Sequence, residues 1–205
     1  MSDAGSEAEG DAAPTIGTYE GSRNDQSERH GQGKMTFPNG DIYKGGYATG
    51  TRSGSGTYKW AKPVAVYSGE YAEGKRNGEG RLVFPDGSVY AGQFEKGKRH
   101  GNGTYTYLNG DTYSGAWSND ARHGRGVYTV AATGSKMDGT WEKGLLVGDG
   151  KVTHADHILK AKFVNGQPEL PATITFTSTS YTMQVTDRAL LGQSAIAVGG
   201  AGGDD

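Results

Sequence analysis

Side chains of two kinds alternate over a stretch near the middle of the chain. Tyr90, Gly92 and Phe94 alternate with small or polar residues, and Gly103 and Tyr105 continue the same alternation a few positions later. A period of two places every second side chain on one face of a β-strand. The stretch therefore predicts two strands that carry aromatic residues and glycine on a common face.

The same stretch recurs along the chain at an almost fixed spacing, and successive copies start 23 or 24 residues apart. The sixth copy is the most divergent. The copies begin at Tyr19, Tyr43, Tyr67, Tyr90, Tyr113 and Met137. A fixed period of this length indicates a repeat array. We expect each copy to form one β-hairpin, joined to the next by a tight turn such as Asn109-Gly110, a pair that suits positive φ.

Stacked hairpins predict an all-β fold: an elongated, single-layer antiparallel sheet with the usual right-handed twist, followed by a β-rich C-terminal segment. Glycine weakens a strand unless packing compensates, and the aromatic residues of the same face provide that packing. A single hairpin is marginally stable in water, so we expect stability to come from contacts between neighbouring repeats.

Composition divides the chain into four parts. Residues 1–14 are acidic, with no basic residue, and predict a disordered tail. Residues 15–166 form the repeat array, and residues 167–198 are rich in threonine and serine, which predicts a β segment that bends near Ser180 and either caps the array or binds a partner. Residues 199–205 predict a flexible tail.

Overall composition limits the class of protein. Glycine, at 36 residues, could signal disorder, but it is periodic and accompanied by 12 tyrosines, so it is expected to be architectural. The chain has no cysteine, which excludes disulfides and thiolate zinc sites. Its net charge of -2 gives no reason to expect nucleic acid as a partner. We also expect no signal peptide, membrane-spanning segment or lipid anchor.

The repeat carries the pattern Y-x-G-x-[FYW]-x-x-G-x-[RK]-x-G-x-G and resembles the MORN (membrane occupation and recognition nexus) repeat over about residues 17–152. More narrowly, the stretches Gly17–Tyr47 and Thr133–Gly144 resemble the radial spoke head MORN proteins of motile cilia and flagella. The resemblance implies an axonemal location and a structural role among other radial spoke head proteins.

Two groups of residues are candidates for partner binding. The first lies at the first and fifth positions of the repeats, where we expect a single sheet to leave a large aromatic surface for a partner to cover. The alternative is that these rings only pack against one another. The group consists of Tyr43, Tyr47, Tyr67, Tyr71, Tyr90, Phe94, Tyr113, Trp117 and Trp141.

The second group is basic, and we expect it in the loop between the two strands of each hairpin, where it forms a basic rim along one edge of the sheet. A rim of this kind could bind anionic phospholipid or an acidic protein segment, or could simply be a solvated edge. It consists of Lys75, Arg76, Lys98, Arg99 and Arg122.

Motifs for chemistry are absent from the sequence. There is no phosphate-binding G-x-x-x-x-G-K-[ST], no nucleophile elbow G-x-S-x-G, and the G-x-G pairs are strand glycines. His154 and His157 with Asp156 form only a weak metal signature. We expect no catalytic, cofactor or metal site.

The sequence thus favours a non-enzymatic scaffold of the axonemal radial spoke head. Its expected partners are other radial spoke head proteins, a second copy of the chain or a related MORN protein. The alternative is a peripheral membrane adaptor that binds anionic lipid through its basic rim, although stable anchoring usually requires a second signal.

Overall fold

A computed structural model describes residues 16–194, which form one open antiparallel sheet of sixteen strands. The fold class predicted from the alternation is therefore confirmed. The expected tails at residues 1–14 and 199–205 lie outside the described residues, as does the end of the segment 167–198. The strands are β1 (Thr18–Arg23), β2 (Arg29–Thr36), β3 (Ile42–Ala48), β4 (Thr51–Trp60), β5 (Ala65–Ala72), β6 (Lys75–Val83), β7 (Val89–Glu95), β8 (Lys98–Thr106), β9 (Thr112–Ser118), β10 (Ala121–Thr129), β11 (Lys136–Glu142), β12 (Leu145–Thr153), β13 (His157–Val164), β14 (Gln167–Pro168), β15 (Ala172–Phe176) and β16 (Thr182–Val185).

Strand order follows the sequence. Each strand from β1 to β13 pairs with its neighbours along the chain, and β15 and β16 then extend the same sheet, while the short β14 pairs with β13 beside the main path. The bend expected near Ser180 is a hairpin turn, because β15 and β16 pair with Ile174 opposite Met183. A 3-10 segment, Arg188–Ser194, follows.

The turns within hairpins lie along one side of the sheet, the turns between hairpins lie along the other, and the two kinds differ in geometry. Within a hairpin, two consecutive residues have positive φ, as at Lys96 (51°) and Gly97 (92°), which is the geometry of a type I′ turn. Between hairpins only the glycine has positive φ, as at Gly110 (84°), while Asn109 accepts a hydrogen bond from the backbone N–H of Asp111 through its side chain. The predicted Asn-Gly turn exists, but with this different geometry.

The two glycines of each G-x-G pair have separate roles, as the third repeat shows. Gly78 has φ of 78° and lies where the register between β5 and β6 shifts, so it forms a bulge in β6. Gly80 lies directly opposite Gly69 and beneath the ring of Tyr67. The first glycine supplies an unusual backbone conformation, and the second supplies the space for a ring.

The core lies on one face of the sheet and changes character along it. From β3 to β11 it is mainly aromatic. From β12 onward aliphatic side chains replace the tyrosines, and Leu146, Leu159 and Val185 are fully buried. Side chains on the opposite face are mainly small or polar, as at Ser68, Ala91 and Thr104, so one layer of strands has one core and one solvated face.

Candidate interaction surface

Rings at the first and fifth positions of the repeats form a continuous series, here called the ring ladder. Each ring meets the next edge-to-face, with centroids 5.1 to 5.3 Å apart and planes at 80 to 89°. This arrangement suits the quadrupoles of aromatic rings and contributes about 0.5 to 1.5 kcal/mol per pair beyond area burial. In spatial order the ring ladder is Tyr19, Tyr47, Tyr43, Tyr71, Tyr67, Phe94, Tyr90, Trp117, Tyr113 and Trp141.

Each first-position tyrosine is held at both ends of its side chain. The hydroxyl of Tyr67 donates to the carbonyl oxygen of Glu70 at 2.9 Å, and the ring lies over Gly80. Tyr43 makes the equivalent bond to the carbonyl oxygen of Gly46 at 3.0 Å. Burial raises the pKa of Tyr43 and of Tyr67 to about 12. The ring, its hydroxyl and the glycine beneath it therefore form one packing unit.

The ring ladder covers itself. Tyr43, Tyr67, Tyr90 and Tyr113 are each 0% exposed, and Trp141 is 1% exposed. The expectation of a large open aromatic surface is therefore wrong, because edge-to-face packing between repeats closes the face without a second layer. Partner binding by the nine first- and fifth-position residues stays a prediction; the contacts that the structure contains are among the rings themselves.

Arginines of the second strands lie over the ring ladder and are here called the arginine row. Each one places its guanidinium carbon 4.8 to 5.3 Å from the centroid of the fifth-position ring in the following repeat. Such cation–π contacts contribute about 0.5 to 2 kcal/mol each, depending on burial. The pairs are Arg29 with Tyr47, Arg52 with Tyr71, Arg76 with Phe94, Arg99 with Trp117, and Arg122 with Trp141.

The arginine row also joins successive repeats by hydrogen bonds. Nη2 of Arg52 donates to the carbonyl oxygen of Gly74 at 2.7 Å, Arg76 donates to Gly97 at 2.6 Å, and Arg122 donates to Gly144 at 2.7 Å. Burial lowers the pKa of Arg76. A guanidinium stacks on a ring and donates sideways at the same time, which an ammonium group cannot reproduce.

The basic rim differs from its expected position. All five residues lie at the beginning of second strands rather than in loops. Arg99 and Arg122 are 7% and 4% exposed, and Arg76 is half-buried, whereas Lys75 and Lys98 are exposed. The glycine bulge and the stacking on rings draw the arginines inward. Binding of an anionic partner by the rim stays a prediction, and its two lysines are the members open to solvent.

Aspartates after the turns between hairpins lock second-strand tyrosines in place. One oxygen of Asp41 accepts from the Tyr58 hydroxyl at 2.7 Å, and the other accepts from the backbone N–H of Ala61 at 2.8 Å. Asp111 makes the same pair of contacts to Tyr128 and to the backbone of Ala131, three repeats later. Burial acts to raise the pKa of Asp111, but the hydrogen bonds outweigh it and the pKa is lowered. In the sequence these aspartates are recognisable only as residues beside a turn, because the tyrosines that they bind lie on later strands.

The ring ladder ends differently on its two sides. In the first repeat Arg23 stands at the fifth position, and its guanidinium carbon lies 5.1 Å from the centroid of Tyr19. In the sixth repeat Met137 and Leu146 stand where a tyrosine and an arginine lie in earlier repeats, and both are buried. The ladder therefore begins at a charged group and ends in an aliphatic core.

No group of three or more metal-ligating side chains that could hold an ion lies within residues 16–194. The rings of His154 and His157 stack at 4.6 Å, and His157 contacts Asp156 through Nδ1 at 2.7 Å. In the part of the chain that the structure covers, no helix is long and apolar enough to span a membrane.

These features define a class of protein: an open array of β-hairpin repeats whose aromatic face is packed by rings, glycine and arginine. The family model of the MORN repeat matches residues 26–42, 43–62, 67–89, 90–112 and 113–130. The chain is a MORN-repeat protein, as its sequence pattern predicted.

Two curated relatives bear the name radial spoke head 1 homolog. The chain is 53% identical over 47 residues to the protein of Cyprinus carpio and 54% identical over 48 residues to that of Mus musculus. Each match covers 23% of this chain, and 22% and 16% of the respective relatives. The similarity to radial spoke head proteins is therefore clear but spans about a fifth of their length.

Among solved structures, the fold is similar to the TCP domain of Drosophila melanogaster SAS-4, which was solved in complex with a proline-rich motif of Ana2. The TM-score is 0.51 at 10% identity, over 91% of this chain and 99% of that domain. This likeness concerns the open-sheet fold alone.

Proposed function

We propose that the chain is a non-enzymatic scaffold of the axonemal radial spoke head that binds neighbouring spoke-head proteins and supports ciliary or flagellar motility. The observation that carries the proposal is the 53% identity to a radial spoke head 1 homolog within a regular MORN array. The partners are other radial spoke head proteins, with a second copy of the chain or a related MORN protein as the other candidates.

The packing of the array supports a structural role. From the second repeat to the sixth, each repeat is joined to the next by backbone pairing, edge-to-face rings and an arginine bond to a loop carbonyl. Contacts of this kind between nearest neighbours make stability cooperative along an array. A sheet held in this way keeps its shape without a bound ligand, which suits a part that transmits force between larger assemblies.

The parts of the site open to a partner are the outer edges of the aromatic face. Tyr58 and Trp60 are half-buried, with centroids 4.6 Å apart, and Leu108 is 75% exposed at a turn. Half-buried aromatic side chains are typical anchors of protein interfaces. Lys75 and Lys98 add positive charge along the opposite edge. The first- and fifth-position rings then act by holding these groups in register.

The membrane adaptor is a weaker alternative, because the guanidinium groups of Arg99 and Arg122 lie on rings and are not free to reach a bilayer. Within the basic rim, the exposed members are Lys75 and Lys98, and Arg76 is half-buried. One or two exposed lysines provide about 1 kcal/mol each at an anionic surface, which is too little for stable binding.

The test is the partition of the tagged full chain when isolated cilia are extracted with mild detergent. The scaffold is expected to stay with the demembranated axoneme and to leave only in chaotropic salt. Trp60→Ala, on the aromatic face, is expected to lower retention, whereas the adjacent Lys59→Ala, on the opposite face, is not. Release of the unaltered chain with the membrane fraction would instead support the lipid adaptor and reject the scaffold.

A further inference from the structure

Two adjoining cavities on the aromatic face form a groove over the first three repeats. Their volumes are about 310 and 270 Å³, and they share Arg52, Tyr58 and Gly74. Phe37 and Trp60 complete the aromatic lining, and Arg29 and Arg76 flank Arg52 on either side. This surface, with guanidinium groups between aromatic rings, is here called the arginine groove.

The arginine groove contains no ion pair among residues 16–194, and the charge of Asp120 acts on Arg76 only from beyond ion-pair distance. Ion pairs within that range include Arg99 and Arg125, but not Arg29, Arg52 or Arg76. A guanidinium carries five N–H donors, and the side chains of Arg52 and Arg76 each donate one hydrogen bond, to a loop carbonyl. Most of their donors therefore remain available to an oxygen acceptor.

The fourth repeat indicates which acceptor fits. Asp120 stands in the turn of the fifth repeat, where other repeats have glycine, and its Oδ1 accepts from Nε of Arg99 in the fourth repeat at 3.1 Å. The same oxygen accepts from the backbone N–H of Arg99 at 2.8 Å. A carboxylate can thus accept hydrogen bonds from an arginine of this row while the guanidinium group stays stacked on its ring. The arginine groove offers the same chemistry to a carboxylate from elsewhere.

The first fifteen residues of the chain match the arginine groove in charge and in reach. They contain Asp3, Glu7, Glu9 and Asp11 and no lysine or arginine. They join the sheet at Gly17, which packs against the backbone of Phe37 at the end of the groove. Five strand spacings, about 24 Å, separate β1 from β6, and fifteen residues can extend about 50 Å. Arg122 at β10 is nine strand spacings from β1, about 43 Å, which only Asp3 among the four carboxylates could reach.

We propose that residues 1–15 fold back over the arginine groove of their own chain, where their carboxylates pair with Arg29, Arg52 and Arg76. The segment thereby competes with carboxylate-bearing segments of a partner, a regulatory step that rests on the proposed scaffold function. A short tether gives an effective concentration on the order of millimolar, so weak ion pairs are sufficient for the contact. Salt screens such pairs, so the contact is expected to weaken as ionic strength rises.

The absence of cysteine permits a direct test on the full chain. Ser6→Cys carries a nitroxide label, and NMR measures the loss of amide signal at Gly50 and Gly74, which border the groove. The control carries the same label with the four carboxylates neutralised, as Asp3→Asn, Glu7→Gln, Glu9→Gln and Asp11→Asn. An unchanged thermal melting curve verifies that the neutralised chain folds.

At about 50 mM NaCl the acidic chain is expected to lose roughly twofold more signal at these glycines than the neutralised chain, and at about 500 mM the two should agree. Equal signal loss in both chains at low salt overturns the proposal. No spoke-head protein is present, so this result does not depend on whether the scaffold function is correct.

Competition is tested with a synthetic peptide of residues 1–15 added to each unlabelled chain. The peptide is expected to shift the amides of Gly50 and Gly74 at severalfold lower concentration in the neutralised chain, because that chain lacks the internal competitor. Equal affinity for both chains refutes the competition. Shifts centred on the exposed cationic patch of Arg125, Lys151 and Lys160, on the opposite face, refute the assignment to the groove.

Discussion

Replacing Gly80 with alanine tests whether the second glycine of each repeat exists to hold a tyrosine ring. A Cβ atom at Gly80 would lie 2.5 Å from the hydroxyl oxygen of Tyr67, 2.6 Å from Cε2 and 2.7 Å from Cζ. Non-bonded carbon atoms prefer about 3.5 to 4.0 Å. The ring has nowhere to move, because it is 0% exposed and lies between Tyr71 and Phe94 with centroids 5.2 and 5.1 Å away.

The decrease in the free energy of unfolding that Gly80→Ala should cause is the sum of several contributions. Overpacking in a filled core costs about 1 to 3 kcal/mol. Displacing the ring also weakens the hydrogen bond to Glu70, which contributes about 1 kcal/mol, and two edge-to-face contacts. Alanine in place of a strand glycine would by itself stabilise the chain by about 0.5 to 1 kcal/mol. The net expectation is a loss of about 3 kcal/mol, with a fall in Tm of about 6 to 12 °C for a chain of this size.

Urea unfolding followed by circular dichroism and tryptophan fluorescence measures the loss. Gly74→Ala is the matched control, since Gly74 has φ of 77° but no heavy atom within 4 Å of an added Cβ. It should cost only the backbone strain, about 1 kcal/mol. In a double-mutant cycle, Gly80→Ala should cost much less in a Tyr67→Leu background. The reasoning is refuted if Gly80→Ala costs no more than Gly74→Ala, or if the coupling to Tyr67 is below about 0.5 kcal/mol.

Three further measurements test the arginine row, the aspartate locks and the tyrosine hydroxyls. Arg122→Lys is expected to lower the free energy of unfolding by about 2 kcal/mol, because lysine loses the stacking on Trp141 and the bond to Gly144. The control, Arg125→Lys at an exposed position, should change the free energy of unfolding by less than about 0.5 kcal/mol. Equal effects of the two substitutions in urea unfolding would count against the packing role of Arg122. Asp111→Asn is expected to cost about 1 to 3 kcal/mol at neutral pH. The pKa of Asp111 is lowered in the folded chain, so the stabilisation that it provides is present above the unfolded pKa and is lost as pH falls through the folded pKa. Asp111→Asn should therefore remove this contribution to the pH dependence of stability. An unchanged pH profile would contradict the stabilising role of the Asp111 carboxylate. Because the pKa values of Tyr43 and Tyr67 are raised to about 12, their stabilisation is present below the unfolded pKa of about 10 and disappears as pH rises toward 12. Tyrosinate absorbance and circular dichroism should therefore change together in that window, and ionisation of all tyrosines near pH 10 with the sheet intact would disprove the burial argument.

The sheet could be predicted from sequence because its determinants are local. Alternation of Tyr90, Gly92 and Phe94 defines a strand, and the fixed spacing of the repeats defines its neighbours. Each hairpin needs only a turn and a register, and both recur with the pattern. The strand order and the face on which each ring lies could therefore be predicted from the sequence.

Burial and the role of the arginines could not be predicted in the same way. Charge suggested that Arg99 and Arg122 lie in solvent, but the bulge at the following glycine places their guanidinium groups over rings of the next repeat. The contact of Asp41 with Tyr58 has no local signal either, because Tyr58 lies on a later strand. One signal was available: each arginine precedes the fifth-position ring of the next repeat at a nearly constant offset, which suggests a contact between repeats.

Arg23 occupies the position of a fifth-position ring at the β1 end of the ring ladder. An open sheet has no geometric limit to its length, and an edge strand with an aromatic at this position would offer the next chain a surface on which to continue the series. A guanidinium in that place would have to give up its water before another ring could stack there. Arg23 thus disfavours continuation of the ring ladder by the aromatic residues of another chain at β1.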